Sequence, residues 1–424
     1  MFNLSSLHIS YMKRNIVMIS NKPFSSRIIF AIFCIVGWTY LYTSSSNLSS
    51  LFSLDEVENS KVVILMWTPY FGRRNWNALS IMAINNRSYP DCFLECEITY
   101  DRERLEEAHA LVFHAWPTDL KKSDLPKHRK VDQLWVLLEQ ESPILARKDL
   151  DSFSGIFNWT MTYRQDSDVF HPYSKIVPLD DNEGLRASNA TRKTYDKKLM
   201  AFLSGKRKLV AGVISKCSTD SKREVLIDQL KKQNIQVDIY GKCGIEICPR
   251  GQPKHASSPC SESVFWQKLA QDYKFYLAFE NSICLDYVTE KLFRTLELGL
   301  VPVVYGGANY TQIAPPNSFI NVDNFKSTKE LSKFLRNLDE NPDEYKKYFE
   351  WRNKYKVVRG DGWCTLCNKV RKHNNMKWKL EERKGIPVRK TYDLLKDWWF
   401  NYPLSSAKKN SERKQACKKP TKFE

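Results

Sequence analysis

The chain has 424 residues, enough for two ordinary domains and a tail, and its 42% hydrophobic and 13% aromatic content excludes wholesale disorder. The formal charge of +18 first suggests nucleic acid, but +4 of it falls in residues 1–27 and +5 in residues 406–424, leaving +9 spread through mixed-charge sequence. A nucleic-acid groove needs a focused basic patch interleaved with aromatics, so that partner is excluded; a mildly basic body suits a small anionic ligand such as a nucleotide diphosphate.

In chain order, residues 1–27 carry Lys13, Arg14, Lys22 and Arg27 and no acid, and the uncharged run Ile28–Tyr42 follows. That asymmetry predicts a cytosolic tail at 1–27, an uncleaved transmembrane signal anchor at 28–42 and a lumenal remainder, a type II arrangement. The run is short for a spanning helix and suits thin early-secretory membranes; a cleaved signal peptide is the other reading, but no small-x-small site follows Trp38–Tyr42. Sequons at Asn47, Asn86, Asn158, Asn189 and Asn309 agree with a lumenal location as N-glycosylation candidates. So do eleven cysteines, most of which an oxidising compartment would pair. The odd number leaves at least one unpaired, with Cys34 and Cys417 the candidates, and either one could link two chains into a homodimer.

Residues 43–60 are Ser-rich and read as a stem. Folded sequence begins at Lys61 with VVILMW, a β-branched apolar run expected of a strand buried on both faces. Similar runs recur at Leu111–Trp116, Leu134–Leu138, Leu209–Ile214, Val237–Tyr240, Phe275–Phe279 and Val301–Tyr305, with helix-like stretches such as Ser221–Gln233 and Thr289–Leu298 between them. This alternation predicts α/β architecture with parallel sheets. The polar segment 181–197 reads as a linker, giving an N-terminal α/β domain at 61–190, a second at 191–372 and an extension at 373–424, of which 405–424 is expected to be a disordered basic tail.

Lys274–Gly307 is the segment richest in chemistry: a buried strand, a loop, a helix and a second buried strand. Thr289 is placed to cap the helix and Gly299 to stop it. Ligands in such units bind beyond the carboxyl ends of strands, where helix N-termini attract phosphate. There Lys291 could neutralise a diphosphate and Glu290 accept from ribose hydroxyls; the plain alternative is an ion pair on a solvated helix turn. Glu280–Asn281, ending the apolar strand, could likewise only cap a turn.

The series FYLAFENS, DYVTEK and VPVVYG within this segment is very similar to the donor-binding signature of the α1,3/4-fucosyltransferases. The resemblance runs from about Lys61 to Lys372 and includes Gln133–Pro143 (QLWVLLEQESP), Phe157–Tyr173 (FNWTMTYRQDSDVFHPY), Val237–Gly244 (VDIYGKCG) and Trp363–His373 (WCTLCNKVRKH). It implies the GT-B type, two Rossmann-like domains facing a cleft, and transfer of L-fucose from GDP-fucose with inversion to a GlcNAc residue of a glycoprotein or glycolipid glycan. It also implies residence in the Golgi membrane. Inversion needs a base for the acceptor hydroxyl and positive charge on the leaving diphosphate. The resemblance assigns the base to Glu141, with Glu139 the rival; Arg223 and Lys291 to phosphate, Glu290 to ribose, and Glu280, Tyr240, Asn281 and Tyr287 to the nucleotide or fucose region. The family pattern departs at Lys216–Cys217, which leaves the register of Arg223 the loosest of these assignments.

By the same resemblance, Cys92 and Cys96 are expected to bond Cys364 and Cys367, while Cys243, Cys248 and Cys260 pair locally with Cys217 or Cys284 as further partners. A zinc site built from the first four is the alternative. Asp166-Ser167-Asp168 has the form of an Mn²⁺-holding pair, yet the family does not use it so, and it is read as a turn or an acceptor-side polar network. No cofactor is required beyond the donor, although Mn²⁺ can be expected to stimulate release of GDP. A core N-glycan and an N-acetyllactosamine antenna both remain open as acceptor, with selection expected at Thr68–Trp76 and Arg164–Tyr173. Two alternatives stand beside the enzyme: an inverting GT-B transferase for another nucleotide sugar, and an inactive lectin-like relative.

Overall fold

The computed structural model describes residues 61–74, 96–179, 189–246, 262–382, 391–403 and 413–420. The expected anchor and stem, Asn47, Asn86, Cys34, Cys92, Cys248 and Cys260 lie outside the described residues. No helix among the described residues is long and apolar enough to cross a membrane.

The first sheet is parallel and six-stranded, ordered β2-β1-β3-β4-β5-β6, from β1 (Val62–Met66), β2 (Cys96–Thr99), β3 (Ala110–His114), β4 (Leu134–Glu139), β5 (Trp159–Thr162) and β6 (Val169–Phe170). Strands β1, β3 and β4 are buried at every position, which is why their sequences are continuously apolar rather than alternating. β7 (Ser174–Pro178) then leads out of this sheet, and α1 (Asn189–Ser204) leads into the second. The polar segment 181–197 is therefore not linker throughout: from Asn189 it is already helix.

The second sheet, ordered β13-β12-β10-β8-β9, is also parallel. It contains β8 (Lys208–Val213), β9 (Val237–Tyr240), β10 (Tyr273–Phe279), β12 (Val301–Tyr305) and β13 (Ile320–Asn321), with the two-residue β11 (Ile283–Cys284) outside it. The helices of this half are α2 (Arg223–Lys232), α3 (Glu262–Asp272), α4 (Glu290–Leu298), α5 (Tyr310–Ile313), α6 (Thr328–Glu340) and α7 (Pro342–Lys346). Leu226, Leu230 and Leu335 pack on one face of the sheet with Val210, Phe275 and Val303; Phe293 and Leu296 pack on the other with Ala211, Tyr276 and Val304. In both sheets the chain fills one side of its first strand and then the other. Each therefore has a switch point, beside β1 in the first and β8 in the second, where open α/β sheets form their ligand crevices.

The halves are interlaced rather than strung in series. β14 (Tyr355–Arg359) runs antiparallel to β7 over five residue pairs. The chain then re-enters the first half, where Trp363, Leu366, Cys367 and Val370 of α8 (Gly362–Glu382) pack on Val62, Ile64 and Val136. Residues 362–372 thus belong with the first sheet and not with the domain at 191–372, because the apolar face of α8 is buried there. Leu395 and Trp399 of α9 (Leu395–Phe400) cover the other face of the same sheet.

Three disulfides are described, and they revise part of the expected pattern. Cys96 on β2 pairs with Cys367 on α8, as the resemblance implied. Cys364 is also disulfide-bonded. Cys243 pairs with Cys217. Cys417 is not the spare thiol: it pairs with Cys284, and 405–424 is not wholly a loose tail. β16 (Arg413–Gln415) pairs with β15 (Asn401–Pro403), and β17 (Cys417–Lys418) lies antiparallel to β11, so backbone hydrogen bonds order a segment whose composition alone has no reason to fold. Closing loops of 271 and 133 residues restricts the unfolded chain strongly, by about 5 kcal/mol each in the loop-entropy account.

Asn158 is a correction among the sequons. It is 7% exposed, and its Oδ1 accepts hydrogen bonds from the Trp135 backbone N–H and from Arg129, which leaves a glycan no room. Asn309 is exposed. Mass spectrometry of the glycopeptides is expected to find Asn158 unmodified and Asn309 occupied; an occupied Asn158 in folded protein would contradict this packing.

Candidate active site

The second sheet builds one side of the site. β10 is apolar to Phe279, and the next residue, Glu280, is 1% exposed. Its carboxylate is satisfied from the start of α4: Oε1 accepts the Thr289 N–H at 2.9 Å, both oxygens accept the Thr289 hydroxyl, and Lys291 Nζ donates to Oε2 at 3.1 Å. Burial pushes the Glu280 carboxyl up, opposed chiefly by Lys291. For Lys291 burial acts downward, but Glu280 and Glu290 outweigh it and hold the ammonium above its ordinary value. Thr289 makes no side-chain cap of its own; the capping acceptor is Glu280, reaching over from the strand end. Gly299 ends α4 with φ +76°, as the sequence predicts. Glu280 is thus turned inward to hold the helix start, while Glu290 remains about half exposed.

Arg223, first residue of α2, reaches the same strand end. Its Nη1 donates to the Phe279 carbonyl at 2.8 Å and its Nη2 to the Lys216 carbonyl at 3.2 Å. The departure at Lys216–Cys217 has a structural reason, since Cys217 is tied to Cys243 after β9. Neighbouring Ser221 clamps the loop after β10, its N–H on the Asn281 carbonyl and its hydroxyl on the Glu280 carbonyl. Asn281 Oδ1 accepts from Ser282 at 3.1 Å. Tyr240 is not brought into this group. Its hydroxyl meets that of Tyr273, at the start of β10, the opposite end of the strand from Glu280.

The first sheet supplies the facing side. β4 ends at Glu139, and the loop Gln140–Glu141–Ser142 lies over it. The Tyr287 hydroxyl donates to Glu141 Oε2 at 3.2 Å, and Ser142 Oγ donates to Ser282 Oγ at 2.8 Å, so the loop after β4 meets the loop after β10 twice. Burial pushes the Glu141 carboxyl up, while Tyr287 and then Lys291 pull it down. Tyr173 donates to the Gln140 carbonyl at 2.9 Å and Tyr70 to its side chain at 3.3 Å. Sequence reasoning singled out neither tyrosine and neither serine; the serines stood inside the quoted motifs, but only distance in the fold pairs residues 140 positions apart.

On the far side of β3, Asp119 accepts from His114 Nδ1 at 2.7 Å, Phe71 N at 2.6 Å and Gly72 N at 2.9 Å, which fixes the loop after β1 with Phe71 at φ +49°. The Asp166–Asp168 pair is occupied. Arg164 takes Asp166 in a two-pronged ion pair, and Asp168 accepts from Thr160 and Tyr392. Among the described residues no group of three or more His, Cys, Asp or Glu could hold a metal ion. Beside Tyr287, whose ring lies 5.0 Å from that of Tyr163, opens a cavity of about 480 Å³ lined by Tyr163, Gln165, Phe170, Lys175, Asp286 and Gln312 among others.

Residues 203–398 match the model of Glycosyltransferase family 10 (fucosyltransferase), C-terminal part, and residues 59–174 that of Fucosyltransferase, N-terminal. The chain is 36% identical over 353 residues to Alpha-(1,3)-fucosyltransferase C of Drosophila melanogaster, covering 80% of this chain and 77% of the relative. It is 31% identical over 372 residues to Alpha-(1,3)-fucosyltransferase fut-6 of Caenorhabditis elegans, covering 85% and 86%. A solved α1,3-fucosyltransferase with GDP-fucose aligns at a TM-score of 0.44 and 14% identity over 78% of this chain and 92% of that one. With both halves of the family matched in order and relatives above 30% identity over most of their length, the chain belongs to glycosyltransferase family 10, the fucosyltransferases.

Proposed function

We propose that this protein transfers L-fucose from GDP-fucose, with inversion, to O3 of a GlcNAc residue in a glycan. The observation that carries the reading is the Tyr287–Glu141 hydrogen bond, which sets a carboxylate of the first sheet against the Lys291–Glu280 end of the second. Glu141 takes the proton from the acceptor hydroxyl as that oxygen bonds to fucose C1. On the opposite face the C1–O bond breaks, and its electron pair leaves on the GDP phosphate. Lys291 and Arg223 stabilise that charge from the end of β10. Glu141 suits the base better than Glu139 because it is half-buried at the facing loop, whereas Glu139 is 2% exposed beneath it. Glu290 and Asn281 serve the donor's ribose and sugar, Glu280 orients Lys291, and Tyr240 supports β9 from outside the site.

The mixed lining of the neighbouring cavity suits a sugar acceptor, with aromatic faces at Tyr163 and Phe170 and polar groups at Gln165, Gln312 and Asp286. The family's resemblance and the uncharged run at 28–42 support a type II Golgi membrane protein with a short stem, acting on glycoprotein or glycolipid glycans. With Cys417 paired internally, a covalent homodimer would run through Cys34. Mn²⁺ acts in this reading on departing GDP rather than in a protein site.

Full-length protein in detergent, given GDP-fucose, GDP-mannose or UDP-galactose with core N-glycan or N-acetyllactosamine acceptors, is expected to transfer fucose alone. Glu141→Gln is expected to lower kcat about a thousandfold while retaining GDP binding, since a positioned base contributes about 10²–10⁴ in rate. Tyr287→Phe is expected to lower kcat about tenfold, the equivalent of one hydrogen bond to a charged group. Active Glu141→Gln protein, or transfer from a non-fucose donor, would overturn the reading. EDTA is expected to slow turnover without abolishing it; complete and metal-reversible loss would point to a bound ion instead.

A further inference from the structure

The hydrogen bonds of the loop after β4 converge on one side chain that the reaction as described does not use. Glu139 Oε1 accepts the backbone N–H of Gln140 at 3.0 Å and that of Glu141 at 2.8 Å. The same short loop is held by Tyr173 on the Gln140 carbonyl and by Ser282 on Ser142. Of these anchors, only Glu139 grips the backbone of Glu141 itself. We propose that Glu139 is the positioning residue of the catalytic base, its carboxyl fixing the backbone from which the Glu141 side chain projects. The proposal rests on Glu141 being that base.

The surroundings decide which form of Glu139 does this. It is 2% exposed, and Oε2 has no hydrogen-bond partner among the described residues. The titratable groups facing it are Glu141 on its own loop, Asp119 after β3 with His114 bound to it, Tyr70 after β1 and Tyr163 after β5. None of these is a lysine or arginine. Burial pushes the Glu139 carboxyl up to about 8, aided by the Glu141 and Asp119 carboxylates and opposed by the two backbone N–H groups. At neutral pH it therefore carries a proton, which belongs on Oε2, because a donor-less buried carboxylate oxygen costs far more than a hydroxyl there. Neutral Glu139 holds the loop without placing a second negative charge beside the base. Once ionised, it sets an uncompensated charge between Asp119 and Glu141 that repels the Glu141 carboxylate from its place, although the two backbone N–H bonds to it strengthen.

The test measures kcat and KM for GDP-fucose from neutral pH to about 9.5, on full-length wild type, Glu139→Gln, Glu139→Leu and Glu141→Gln. The rise in melting temperature on adding GDP serves as the folding control. Wild-type kcat is expected to fall about tenfold as pH passes through about 8, and Glu139→Gln, whose amide keeps the acceptor but cannot ionise, to lose that fall. Glu139→Leu, with no acceptor, is expected to lose at least about tenfold in kcat with KM for GDP-fucose within about threefold, since the donor contacts lie on the other sheet. Glu139→Leu with wild-type kcat, or Glu139→Gln reproducing the wild-type alkaline fall, would overturn the positioning role. If Glu139→Leu fails the folding control, the Glu139→Gln profile decides alone. Turnover by Glu141→Gln would instead remove the base assignment on which the proposal stands.

Discussion

The site depends on compensating one buried carboxylate. Glu280 ends an apolar strand at 1% exposure, and an unpaired charge there would cost several kcal/mol. Its oxygens are satisfied by Thr289 and Lys291, nine and eleven residues further on. The intervening segment must therefore close on itself and leave and return at the same strand end. That closure places Ser282 against Ser142, Cys284 against Cys417 and the Tyr287 hydroxyl on Glu141. It also requires a left-handed residue, Asp286 at φ +57°, whose carboxylate is in turn held by the Gln165 N–H. One buried acid thus sets the direction of a helix, the charge state of a lysine and the approach of the two sheets.

What was legible in the sequence was what is decided locally. β1, β3, β4, β10 and β12 were announced by largely apolar runs, because strands buried on both faces have few polar positions; β8 and β9 were read from shorter β-branched runs although they are only partly buried and β9 carries Asp238. The end of α4 was legible too, since Gly299 supplies a conformation other residues avoid. β5, with the sequence WTMT, was not read as a strand, because Thr160 and Thr162 are polar yet buried through hydrogen bonds to Asp168 and Ser167. The tail strands β16 and β17 were hidden because their partners lie on β15 and β11.

The candidate site divides along the same line. Lys291, Glu290, Asn281, Tyr287 and Glu141 could be named because they stand in ordered motifs. Side-chain orientation was not legible at other candidates: Glu280 faces inward, Tyr240 turns to Tyr273, and Asn158 is buried under Arg129. Each outcome was set by a partner 9, 33 or 29 residues away, a distance at which no periodicity carries information. The Lys216–Cys217 departure weakened an alignment argument, yet in three dimensions it is one end of a disulfide and leaves Arg223 at the strand end.

The Cys96–Cys367 bond also bears on how the chain is made. Its partners are separated by 271 residues, which at about 5–20 residues per second take roughly 15–55 s to synthesise. Throughout that interval β2 has no covalent clasp, and the face of the first sheet that α8 will cover is bare. The first half can pair its strands as they emerge but cannot be finished until the second has been translated. The nascent chain therefore presents an apolar surface and a free thiol together, the combination that chaperones and thiol oxidoreductases capture. Substitutions on the docking face of α8, far from any sugar, are accordingly placed to lower the yield of protein rather than its turnover.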